Sequence, residues 1–170
     1  MAFLQWLEAL HFSVWVREGN SIWGYPMILF LHTVGLGFLA GLSVATDMRI
    51  LGVASRLPLI PFAKFYPLMW LGFWVNAISG LILLAADATT KAINPTFYVK
   101  MGFTLVAVLL LIYLRRRFFR DPHLDEKPIS GQGKAIAVLS LICWVGAITA
   151  GRLMAYLGPV AGLPGETNHF

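Results

Sequence analysis

Three side chains that can ligate a metal or carry charge stand inside otherwise apolar stretches: His32, Lys100 and Arg152. An ionisable group in such a stretch is costly, so each marks a candidate site. A neutral imidazole is a common metal ligand. A lysine amine can hold an acidic group as a cation, or serve as a ligand once desolvation favours its neutral form. An arginine is a permanent cation suited to carboxylates. Gly35 stands one turn after His32 and Leu29 one turn before it, on roughly the same helix face. Glycine leaves a gap beside the imidazole, and leucine gives that gap an apolar wall. A flat macrocycle could use the gap; close packing of a second helix is the other reason for a glycine there.

Other chemistry lacks its residues. The chain has one cysteine, Cys143, so neither an intrachain disulfide nor a thiolate metal cluster can form. No paired carboxylates, nucleophilic triad, phosphate loop or metalloprotease helix is present. Asp47 and Asp87 are expected at opposite membrane faces, where they cannot act together.

These residues need elements to position them, and the composition indicates which. Of 170 residues 58% are hydrophobic and only 12% charged, with a mean hydropathy of +0.74. That excludes a disordered chain, a nucleic-acid-binding domain and an ordinary cytosolic enzyme. It implies an all-α integral membrane protein, a four-helix bundle. Crossing the hydrocarbon takes about 20 apolar residues. Four stretches are long enough, at 23–46, 65–86, 95–114 and 135–157. Residues 1–18 are too short and too polar to span, and read as an amphipathic helix lying in the interface. Residues 19–157 form one transmembrane domain, and 158–170 a short polar tail.

Arginine and lysine set the expected orientation. Arg49, Arg56, Lys64, Arg115, Arg116, Arg117, Arg120, Lys127 and Lys134 flank one side, nine in all. Arg17, Lys91, Lys100 and Arg152, four in all, fall on the other. The nine-residue side is expected in the cytoplasm, with both termini in the periplasm of a bacterial inner membrane. His32, Lys100 and Arg152 then share the outer half of the bilayer. His32 lies about 13 Å below Trp23 at the helical rise, too deep to snorkel.

Small residues mark where helices approach. Gly37, Gly41 and Ala45 form one stripe; Gly72, Asn76 and Gly80 a second; Gly146, Ala147, Ala150 and Gly151 a third. Asn76 is expected to hydrogen-bond across helices, because an unpaired amide in hydrocarbon is costly. The stretch 121–133, with Pro122, Pro128, Gly131 and Gly133, reads as a mobile surface turn.

Haem b would use the polar residues well. His32 would be an axial ligand, with Lys100 and Arg152 neutralising propionates or Lys100 as sixth ligand. No second histidine lies in a span, so Met27, Met101, Met154 and His11 are the other candidates for the far side. Copper is the competing metal, since Cu(I) favours Met and His. A cofactor-free chain, with His32 bonded to a neighbouring helix, is the third possibility.

Several segments carry a resemblance: 21–26 (Ser-Ile-Trp-Gly-Tyr-Pro), 31–36 (Leu-His-Thr-Val-Gly-Leu), 46–52 (Thr-Asp-Met-Arg-Ile-Leu-Gly), 83–87, 94–97 and Lys100-Met101. In this order, over roughly residues 20–157, they resemble a bacterial family of uncharacterised four-span membrane proteins. More distantly the pattern is similar to CopD-type copper-resistance bundles and HemJ-type protoporphyrinogen oxidases. Both have a histidine in the first span, and the HemJ type has a lysine early in the third, where His32 and Lys100 stand. The HemJ resemblance implies haem b. The expected function is a haem b-binding electron-transfer or cofactor-bearing subunit, not an enzyme by itself. The alternatives are a cofactor-free accessory or assembly subunit and a copper-handling membrane protein. Expected partners are the bilayer and either other membrane subunits or a second copy of the chain.

Overall fold

The computed structural model describes residues 2–19, 21–119, 124–125 and 129–156. The tail at 158–170 and most of the stretch 120–128 lie outside the described residues. Every regular element among the described residues is helical. Four helices are long and apolar enough to cross a membrane: Tyr25–Leu51, Ile60–Ala85, Pro95–Arg117 and Gly131–Met154.

The N-terminal segment forms two short helices, α1 (Ala2–Glu8) and α2 (His11–Glu18), not one. The second is held by Val16, fully buried in a cluster with Ile28, Leu83 and Ala86. Trp6, Phe12 and Trp15 remain exposed, as an interfacial segment requires.

The first span has three parts. Helix α3 (Tyr25–Leu36) starts with Pro26 in its first turn, where the missing N–H costs nothing. A π-helical segment, Gly37–Gly41, widens the middle. Helix α4 (Leu42–Leu51) follows and ends at Gly52, whose φ of 105° is a left-handed cap that glycine adopts freely. The apolar stretch at 23–46 therefore extends through Asp47 to Leu51, and Asp47 falls within the helix.

A 3-10 segment, Ile60–Phe65, leads into the second span's main helix α5 (Tyr66–Ala85). Short α6 (Ala88–Ile93) precedes α7 (Pro95–Arg117). Asn94 caps α7 by accepting from the Thr96 amide at 2.9 Å, and Pro95 fills the first position. Arg115, Arg116 and Arg117 lie in its last turn, where cations complement the helix dipole. The last helix is α8 (Gly131–Tyr156).

The first span changes partner along its length. Helix α3 packs on α5, whereas α4 packs on α8; α7 packs along α8. The change falls at the π segment, whose extra residue per turn re-aims the faces that follow. The main core joins Leu39, Ala40, Tyr66, Met69, Ala107, Val108, Leu111, Cys143 and Trp144 from all four spans. Trp144 Nε1 donates to Ser43 Oγ at 3.0 Å, tying α8 to α4 inside it.

The close approaches correct one stripe and match two. A side-chain carbon at Gly37 or Gly41 would meet open space, so that stripe packs on no other helix among the described residues. Gly35 takes the role instead. A Cβ on Gly35 would lie 2.7 Å from Asn76 N and 2.9 Å from Gly72 O, and one on Gly72 would lie 2.7 Å from Gly35 O. The second-span stripe of Gly72, Asn76 and Gly80 faces α3. The fourth-span stripe faces α7: Gly146 receives the Phe103 ring and Gly151 the Lys100 chain.

At the arginine-rich end, part of the expected mobile turn is anchored. Leu124 is buried with Ile50, Leu59, Leu114 and Ala137. The Asp125 carboxylate accepts from the Leu59 and Ile60 amides at 2.5 and 3.2 Å. It thereby caps the 3-10 segment and links two loops.

Candidate functional site

His32 projects from α3 onto α5. Its Nδ1 lies 3.0 Å from the Asn76 carbonyl oxygen and 3.2 Å from Ser79 Oγ. A carbonyl only accepts, so the bond to Asn76 requires the proton on Nδ1. That leaves the Nε2 lone pair unused by these contacts. Asn76 answers with its amide, Nδ2 donating to the His32 carbonyl at 2.8 Å. Gly80 makes room for the ring: a Cβ there would lie 3.0 Å from His32 Cε1. The Ser79 hydroxyl donates to the Val75 carbonyl at 2.6 Å, so its lone pairs face the histidine side.

The other expected site residues separate into two groups. Leu29 is 42% exposed, so its side of α3 is open to the membrane. Gly35 is buried, and the space beside it is filled by the α5 backbone. The gap proposed for a flat ligand is therefore closed on that side by helix packing. Lys100 approaches from α7, half-buried, with its aliphatic chain within 3.6 Å of where a Gly151 Cβ would be. Arg152 is exposed on α8 and forms no hydrogen bond or ion pair among the described residues. Among the described residues no hydrogen bond or ion pair joins Lys100 or Arg152 to His32. Of the far-side candidates, His11 and Met101 are exposed and Met27 and Met154 are half-buried.

Lys91 is an addition to this end. It lies on α6, donates to the Leu83 carbonyl at 2.6 Å and is 3.9 Å from Asp87. Burial pulls its amine below the ordinary lysine value, and Asp87 opposes that. Glu8 of α1 closes the same end, accepting from Thr89 N at 2.7 Å and Thr89 Oγ1 at 2.8 Å. The Thr89 amide at the start of α6 holds the Glu8 carboxyl below its ordinary range.

Residue pattern alone misses Ser79 as a neighbour of His32. Ser79 lies three residues after Asn76, so helical spacing from that amide could have found it. No group of three or more His, Cys, Asp or Glu side chains able to hold a metal together exists among the described residues. No family model matches the chain, and no curated protein or solved structure matches it either.

Proposed function

We propose that this chain is a small membrane subunit that binds haem b through His32 Nε2 and serves electron transfer or carries the cofactor for a larger complex. The observation that carries the reading is the Nδ1 contact with the Asn76 carbonyl. A ligating histidine needs its other ring nitrogen donating to a fixed acceptor, which sets the tautomer and makes the ligand more basic. The iron would supply one-electron chemistry. His32 would hold it, Asn76 and Ser79 would orient the ring, and Lys100 would neutralise a propionate. This reading includes the distant kinship with HemJ-type bundles. It also places both termini in the periplasm of a bacterial inner membrane, on the balance of nine basic residues against four. A reporter fused after Phe170 that is active only in the cytoplasm would invert that orientation.

A second reading has its own observation. The reciprocal His32–Asn76 bonds beside the Gly35–Gly72 contact are also what a structural pin between two spans would look like. In that case the chain is a cofactor-free accessory or assembly subunit. Copper at His32 is the remaining alternative. Absorption spectra and elemental analysis of purified wild type and His32→Ala separate the three: a Soret band lost in the variant, copper without haem, or neither in a folded protein.

A further inference from the structure

The arginine-rich end holds polar groups that the His32 site does not use. Three side chains from three spans are buried there with an unpartnered atom: Asp47 Oδ2 on α4, Tyr66 OH on α5 and Ser140 Oγ on α8. Asp47 and Tyr66 are each 1% exposed and Ser140 is 0% exposed. The Trp144–Ser43 bond aligns the antiparallel α4 and α8, which sets Asp47 and Ser140, each one turn further toward this end, opposite one another, and Tyr66 shares the core cluster of Trp144.

Orphaned buried polar atoms are rare, and three together need an explanation. An ionised carboxylate left alone in a membrane-embedded core is costly, so it requires a neutralising partner. Among the described residues no ion pair to Asp47 is formed. Arg115, from α7, lies with its guanidinium carbon 5.3 Å from the Tyr66 ring centroid, stacked on the ring. Among the described residues it forms no ion pair with Asp47. Arg49, on the same helix as Asp47, bonds the Leu57 and Ser55 carbonyls in the loop. On α8, Ser140 and Trp144 are uncharged, and Trp144 is bonded to Ser43.

We propose that Asp47, Ser140 and Tyr66 form a site for one small monovalent cation, a proton or sodium. One carboxylate balances one positive charge, which excludes a divalent ion without further acidic ligands. Hydroxyl groups rotate, so they can present lone pairs to sodium or pair with a protonated carboxyl. Tyr66 also forms part of the wall of a cavity of about 620 Å³ between the second and third spans, together with Trp70, Leu111, Arg115 and Arg116. The site lies at the opposite end of the bundle from Lys91 and Lys100, and it does not depend on whether His32 carries haem.

The test uses the full chain in detergent and dicyclohexylcarbodiimide, which modifies a buried carboxyl only in its protonated form. Mass spectrometry of the peptide carrying Asp47 should show an adduct that declines as pH rises and is absent from Asp47→Asn. Protection by sodium chloride, but not by choline chloride at equal ionic strength, identifies sodium as the competing occupant. Decline with pH alone identifies the proton. Tyr66→Phe keeps the ring under Arg115 and should move the midpoint of labelling by about half a pH unit or more. An Asp47 that stays unmodified at every pH, or is modified equally at every pH and sodium concentration, overturns the proposal.

Discussion

His32 and Asn76 exchange hydrogen bonds across two spans, the asparagine amide donating to the histidine carbonyl at 2.8 Å and the imidazole Nδ1 facing the asparagine carbonyl at 3.0 Å. The pair joins packing to chemistry. One bond fixes the helices, and the other fixes which ring nitrogen is free.

Asn76→Leu keeps the bulk and removes the amide. It should lower stability in detergent by about 0.5–2 kcal/mol, the range for polar contacts between membrane helices. The Asn76 carbonyl survives this change. Any haem spectrum should therefore be retained, with thermal unfolding as the separate readout.

The Gly35–Gly72 contact makes a sharper prediction. Gly35→Ala drives a methyl group into the α5 backbone and should cost about 1–3 kcal/mol, with visible loss of folded yield. Gly37→Ala and Gly41→Ala meet open space and should change stability by no more than about 1 kcal/mol. Thermal denaturation of the three variants checks the ranking.

Glu8 should make the N-terminal segment acid-sensitive. Its carboxyl is held below its ordinary value by the Thr89 amide, so the folded form favours the ionised state. That stabilisation is present above the unfolded carboxylate range and is lost as pH falls through the lowered folded value. Protease cleavage within residues 1–18 should rise in that acidic window. Glu8→Gln should show the raised cleavage at neutral pH, with no further acid step.

Asp125→Ala should free the Leu59 and Ile60 amides and expose the 52–65 loop. A loss of about 0.5–2 kcal/mol is expected for removing a cap, together with faster proteolysis of that loop.

Much of the fold is legible in the residues. Long uninterrupted apolar runs locate four spans, and Gly72, Asn76 and Gly80 mark a packing face through their shared spacing. Helix pairing is less legible. Gly35 and Gly37 are equally small, and only the direction of each Cα toward α5 separates them. The π segment at Gly37–Gly41 shifts that direction, and a helical period does not anticipate it. The burial of Asp47 is missed for a related reason: a charge at the end of an apolar run reads as a boundary, whereas here the helix continues one turn and buries it. At the candidate site, His32 and Lys100 are found from their rarity in apolar surroundings. Arg152 is equally rare, but its neighbour Gly151 faces α7 and leaves the arginine on the exposed side.

The most direct measurement is the visible absorption spectrum of the purified protein beside those of His32→Ala and Lys100→Met. The haem reading predicts a Soret band in wild type, its loss in His32→Ala with the helical content intact, and at least partial retention in Lys100→Met. A colourless but folded wild type, or a Soret band unchanged in His32→Ala, would contradict it.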